Sequence, residues 1–241
     1  MRFDRILALA LLTAACGGAT VSAPGPSGPT TSGGSPSLAT TPAPLSPSPV
    51  PPSVEVVELD GRAADLPLDE LVPDRADVTG SWILAGGSAE AILVAWSRRS
   101  PDPLVSGHGY AVFRRMRELG QWWGIYRRDI GRRSGVLGVS AITADVTDDG
   151  AEDALVIEQT GGTGACGTYR VVDVQAGESV FERAVCDTRI EPSTAPVGLA
   201  MRRAVFGPDD PHCCPSGFRT TILVYDGDGS WGKDSVTDEP A

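Results

Sequence analysis

The stretch "DVTDDGAEDALV", residues 145–156, concentrates the groups in this chain that can do chemistry: five acidic side chains crowd around Gly150, and an apolar run follows. Calcium is held by several oxygen ligands from one short loop, so the spacing of oxygen-bearing residues is the informative quantity. Counting from Asp145, such side chains fall at the first, third, fifth and ninth positions: Asp145, Thr147, Asp149 and Asp153. The carbonyl of Ala151 can serve the seventh. Gly150 stands at the sixth, where a sharp turn needs a residue without a side chain. The expected cofactor is therefore calcium, with stability rather than catalysis as its consequence. Thr147 replaces the usual Asn or Asp, and Val156 stands where an EF-hand has its bidentate glutamate. Affinity should accordingly be low, on the order of 10⁻⁴ to 10⁻³ M. The competing reading is an acidic hairpin held only by its Asp-Gly turn.

Other constellations are weaker. Gly162, Gly164 and Gly167 in "GGTGACG" have the GxGxxG spacing, but a strand-like run follows them where a dinucleotide site needs a helix. Ser230 and Lys233 match SxxK, without the SDN or KTG partners of that machinery and in a polar tail beyond the last strong strand. No GxSxG occurs, and with His108 and His212 as the two histidines, a catalytic triad has few members to draw on. "DDPHCCPSG" (209–217) holds zinc-type ligands too close together to surround one tetrahedral ion. Between residues 98 and 133, nine arginines and three acidic residues interleave with Trp122, Trp123 and Tyr126. If this segment is a strand, the two tryptophans point to opposite faces, one into the core. The other, with Tyr126, is a candidate platform for an envelope polymer. The alternative is a hairpin whose second tryptophan is covered by arginine stems.

The elements that must position these residues read as strands. β-Favouring runs recur between turn signals: 81–86, 90–96, 109–116, 121–128, 136–146, 153–159, 168–174, 179–185, 197–206 and 219–226. A mainly β, antiparallel sheet or sandwich with little helix is expected, and residues 64–72 are the one helical candidate. "ADVTG" at 76 with "AEAILVAW" at 89 echoes "ADVTD" at 144 with "AEDALVIE" at 151, which keeps propeller-like β repeats as the alternative fold. Because strands flank the acidic loop, it resembles the DxNxDGxxD loops of FG-GAP-type extracellular repeats more than an EF-hand.

The chain begins "MRFDRILALALLTAAC". A short apolar core behind two arginines reads as a signal peptide over 1–15, since a bilayer-spanning helix needs about 20 apolar residues. Ala14 and Ala15 before Cys16 resemble the lipobox of bacterial lipoproteins, which implies that Cys16 is acylated; Thr13 and Asp4 depart from that pattern. Residues 17–53 carry no charge and hold ten of the twenty prolines. Together with lipidated Cys16 they make a disordered Pro/Ser/Thr/Gly tether, reaching on the order of 110 Å at about 3.1 Å per residue.

Residues 54–241 form the expected extracytoplasmic domain. Removing Asp4, Arg2 and Arg5 from the totals of 31 acidic and 20 basic residues leaves it with 30 against 18. That balance argues against a nucleic-acid partner. The partners expected instead are the membrane, through the N-terminal lipid, and an envelope polymer or protein. Lys233 is the single lysine, a bias common in GC-rich genomes, and the chain looks like an actinobacterial envelope protein. With Cys16 lipidated, Cys166, Cys186, Cys213 and Cys214 are even in number, which argues for two disulfides in an oxidising compartment. The preferred pairing is Cys166 to Cys186 with Cys213 to Cys214, and cross-pairing stays open. "CCPSG" followed by "FRTTILVYDGDG" resembles the C-terminal part of the LppP/LprE lipoproteins of mycobacteria. The resemblance covers about residues 209–230 and implies an envelope lipoprotein, without transferring a catalytic residue. The expected function is a lipid-anchored binding or scaffold module on the extracytoplasmic face of the cell membrane; the alternative is an envelope hydrolase.

Overall fold

The computed structural model describes residues 55–57, 59, 61–87, 89–100, 106–116, 118–161, 165–211 and 214–241. The expected leader, Cys16, the tether and Cys213 lie outside the described residues. The domain is mainly β, as its turn-punctuated strand runs predict. Its described strands form three antiparallel sheets, each built on a run of four strands joined by successive hairpins, with β1 added to the first at the edge of its last strand. The first contains β1 (Glu55–Val57), β2 (Asp77–Leu84), β3 (Ala91–Arg98), β4 (Gly107–Met116) and β5 (Gln121–Ile130), in the order β1-β5-β4-β3-β2. The second is the meander β6 (Val136–Ala144), β7 (Asp153–Thr160), β8 (Gly167–Asp173) and β9 (Glu178–Val185). The third repeats that pattern with β10 (Thr188–Thr194), β11 (Val197–Val205), β12 (Gly217–Tyr225) and β13 (Trp231–Pro240).

Side-chain alternation explains how the sheets stack. On β3, Ala91, Leu93 and Ala95 pack with Tyr110, Val112, Ala154, Val156 and Val172, filling the space between the first and second sheets. The intervening Ile92, Val94 and Trp96 face the other way, onto Ala63, Leu66 and Leu71 of the N-terminal segment. Both faces of β3 are therefore buried, which is why "AILVAW" reads as a continuous apolar run rather than an alternating one. β7 follows the same logic: Ala154 and Val156 face the first sheet, while Leu155 packs with Tyr169, Val171, Ile190, Leu199 and Leu223 toward the third.

Several expectations need correction. Residues 64–72 do not form an α-helix; they make two 3₁₀ turns, Ala63–Asp65 and Leu68–Glu70. Pro67 separates them, since it cannot donate to a continuing helical ladder. The polar tail holding Lys233 is strand β13, with Ser230 just before it, and the residues of β13 beyond Trp231 are all exposed. β10 is likewise hidden in sequence: "TRIEPST" contains Pro192, which an edge strand tolerates. The internal echo is half structural. "AEAILVAW" and "AEDALVIE" lead into equivalent second strands, β3 and β7. "ADVTG", however, runs into β2, whereas "ADVTD" leaves β6.

Cys166 and Cys186 form a disulfide. The register explains the pairing: Gly167 lies opposite Val185 on β8 and β9, which sets the two cysteines face to face one position further out. They are 20 residues apart in sequence, so the chain-entropy account assigns the bridge about 3 kcal/mol. Cys166→Ser should lower the unfolding free energy by about that amount in urea titrations under non-reducing conditions, and a reductant should add little further in the variant.

Candidate metal centre

The acidic loop connects β6 to β7, at the same end of the second sheet as the turn from β8 to β9. Each acidic residue has a definable place in it. Asp145 stands at the end of β6, and its carboxylate accepts from the backbone N–H groups of Asp149 (3.2 Å) and Gly150 (3.0 Å). Asp148 and Gly150 both adopt positive φ, 61° and 86°. At the second of these a side chain would be strained, as the loop spacing requires. Asp149 is exposed, and its Oδ1 accepts from the N–H of Ala151 at 2.8 Å.

Asp153 opens β7 and is fully buried. Its Oδ2 accepts three bonds: from the backbone N–H of Val146 (3.1 Å), from that of Thr147 (3.1 Å) and from the Thr147 hydroxyl (2.9 Å). Oδ1 is enclosed and has no hydrogen-bond partner among the described residues. Opposite stands Asp173, the last residue of β8. Ala154 pairs with Val172, so Asp153 and Asp173 meet one step beyond on neighbouring strands. Asp173 is also buried, and its Oδ1 accepts from the N–H of Ala176 at 2.8 Å.

Two carboxylates opposed at low exposure repel each other, and burial penalises charge further. Burial first, with Asp173 adding to it, pushes the Asp153 carboxyl up to about 7 against the pull of its Val146 and Thr147 donors. One oxygen from each of Asp149, Asp153 and Asp173 lies within 4.8 Å of the others. Two oxygens on opposite sides of a calcium ion, each about 2.4 Å away, are separated by about that distance. The three carboxylates can therefore hold a metal ion. Of the loop residues with ligand spacing, Asp149 and Asp153 belong to this cluster. Asp145 and Thr147 hold the loop through hydrogen bonds, and Ala151 donates its N–H to Asp149. Asp173 escaped the linear reading because it comes from another hairpin. The signal that could have found it is register: pairing "DALVIEQ" with "TYRVVDV" antiparallel sets Asp153 against Asp173.

The arginine- and tryptophan-rich segment forms β4 and β5. Trp122 is buried against Phe113 and Trp96, and its indole N–H donates to the carbonyl of Gly61 at 3.3 Å. Trp123 lies on the opposite face, half-buried. Tyr126 stacks on Tyr110 with ring centroids 6.0 Å apart and packs against the core between the first two sheets. Most arginines there have internal partners. Arg99 pairs with Asp77, Arg127 with Asp129, and Arg128 with Glu158, while Arg114 donates to the carbonyls of Val174 and Gln175. The geometry is that of a covered hairpin more than of an open aromatic platform.

Between the same sheets lies a buried charged set that sequence reading missed. Glu158 accepts from the Tyr110 hydroxyl (3.1 Å) and from Arg128, with Arg170 Nε 3.6 Å away. Arg170 also donates to Glu182 at 2.6 Å. Burial, followed by the nearby Tyr126 and Glu158, pushes the Tyr110 hydroxyl far above its ordinary value. His108 is held below its ordinary value by burial, and its Nε2 has no partner among the described residues.

Comparison of the chain with protein-family models, with curated proteins and with solved structures returns no match.

Proposed function

We propose that this protein is an exported, lipid-anchored module of the cell envelope, a binding or scaffold component rather than an enzyme, whose β domain is stabilised by calcium at Asp149, Asp153 and Asp173. The observation that carries the calcium reading is the enclosed Oδ1 of Asp153, without a hydrogen-bond partner among the described residues, on a carboxylate that clusters with the buried Asp173. A hard divalent ion supplies both the missing partner and the missing charge. FG-GAP-like spacing in the loop supports the choice of calcium, as does Thr147, whose hydroxyl orients Asp153 while leaving Oδ1 for the ion.

The anchor rests on the sequence before the described residues. Cys16 follows a short apolar core and two small residues, and among the described residues no helix is long and apolar enough to cross a membrane. The "CCPSG" resemblance to LppP/LprE lipoproteins points the same way. A binding or scaffold role is favoured over hydrolysis by the pairing of the buried titratable groups: Glu158 accepts from Arg128 and from the Tyr110 hydroxyl, and Arg170 donates to Glu182.

Two experiments test this reading. The melting temperature of the purified chain should rise between a chelator and millimolar calcium, and an unchanged value would remove calcium from the account. In cells, radiolabelled fatty acid should enter the wild type, and Cys16→Ala should appear in the aqueous phase unlabelled. Labelling of that variant, or an unlabelled wild type, would remove the anchor.

A further inference from the structure

The acidic loop is joined to the first sheet as well as to its own. The Glu152 N–H donates to the carbonyl of Ala85 at 2.9 Å, and its carboxylate accepts from the Ala85 N–H at 2.6 Å. The Gly87 N–H donates to the carbonyl of Gly150 at 3.1 Å, and Gly86 and Ala151 form an isolated β-bridge. The approach is close: a Cβ on Gly86 would meet the Gly150 carbonyl oxygen at 2.9 Å, and the φ there is +97°. On the other side, the Gln175 amide donates to the carbonyl of Asp149 at 3.3 Å. Residues 149–152 thus touch two segments that offer the cluster no ligand from their own contacts: the connection after β2 and the residue two beyond Asp173. The same three segments, together with Arg114, Met116 and Leu119 at the end of β4 and the turn to β5, wall a cavity of about 510 Å³, with Gly86 and Gly87 from the first, Ala151 and Glu152 from the loop, and Val174 and Gln175 from the turn.

We infer that a cation held by Asp149, Asp153 and Asp173 is a latch: it fixes the acidic loop in the shape that docks residues 85–87, and so sets the form of the cavity between the first two sheets. The inference rests on the calcium reading above and adds a consequence that calcium binding alone does not require. Without the ion, repulsion between the carboxylates acts on the segment that carries the Gly150 and Ala151 contacts. The N–H groups of Ala85 and Gly87 lose ordered acceptors, although neither residue contributes a ligand. With the ion bound, loop, turn and first-sheet connection move as one unit, and whatever enters the cavity meets preformed walls.

Hydrogen–deuterium exchange of the full chain, in chelator and at a calcium concentration at least about ten times the dissociation constant, tests the latch. Calcium should slow exchange at least about tenfold within 145–153 and also at 85–87, and Asp153→Asn should abolish both effects. Gly86→Ala should uncouple them, keeping the slowing at 145–153 and the calcium-dependent rise in melting temperature while losing the slowing at 85–87. Slowing confined to 145–153 and 173–176 in the wild type would overturn the latch while leaving calcium binding intact, as would full slowing at 85–87 in Gly86→Ala. No calcium effect on exchange or melting anywhere would overturn the calcium reading and the latch together.

Discussion

In the presence of chelator at pH 8, Asp153→Asn should be more stable than the wild type, an inversion of the usual effect of mutating a fully buried polar residue. The native fold holds the Asp153 proton up to about 7, whereas an unfolded aspartate releases it near about 3.9. The folded state therefore binds more protons than the unfolded state between those values. This contribution favours folding fully below about pH 4, declines as pH rises from about 4 to about 7, and stays lost above that. About three units at 1.36 kcal/mol each set an upper limit on the order of 4 kcal/mol. An asparagine keeps one oxygen for the donors from Val146 and Thr147 and turns an amide toward Asp173, so this decline should flatten. Calcium should reverse the ranking. A ligand at about 100 times its dissociation constant stabilises by about 2.7 kcal/mol, and the variant should gain little of that. Urea titrations across pH 4–8, with and without calcium, would show the crossing. A variant less stable than the wild type in chelator at pH 8 would mean that Asp153 is well accommodated as a bare carboxylate.

The second large effect should come from Glu158→Ala. Glu158 is 3 % exposed and stands between Tyr110, Arg128 and Arg170, and the Arg170 side chain is 5 % exposed. Its removal leaves Arg170 with Glu182 as its remaining acidic partner and strips the Tyr110 hydroxyl of its acceptor. Breaking one side of a buried ion pair costs about 3–5 kcal/mol, because an uncompensated charge stays behind. Replacing Glu158 and Arg170 together by leucine and methionine should recover much of that loss, since the desolvation cost of both ions disappears with them. The midpoint of urea unfolding should fall in Glu158→Ala with little change in slope. A loss below about 1 kcal/mol would show that water reaches the pair and screens it.

What sequence disclosed and what it hid divide along physical lines. Strands buried on both faces, such as β3 and β7, announce themselves as apolar runs, so most of the fold was legible. β10 and β13 were not, because β10 carries a proline and β13 is charged and exposed; their membership in the third sheet depends on pairing with β11 and β12. Asp149, Gly150 and Asp153 were legible from loop spacing alone, whereas Asp173 required knowing how two hairpins register. The Trp122 and Trp123 alternation correctly sent one ring into the core. What lay beyond sequence was the fate of the arginines: Arg128 meets Glu158 from a facing sheet, 30 residues away, and no local pattern encodes that meeting.

The most direct test of the account is calorimetric titration of calcium into the chelator-stripped full chain, beside Asp153→Asn and Asp173→Asn. The wild type should bind one calcium ion per chain saturably, with a dissociation constant on the order of 10⁻⁴ to 10⁻³ M, and binding should be lost in Asp153→Asn and weakened in Asp173→Asn. No saturable binding by the wild type, or binding equal in all three proteins, would contradict the account and leave an acidic hairpin closed by its own hydrogen bonds.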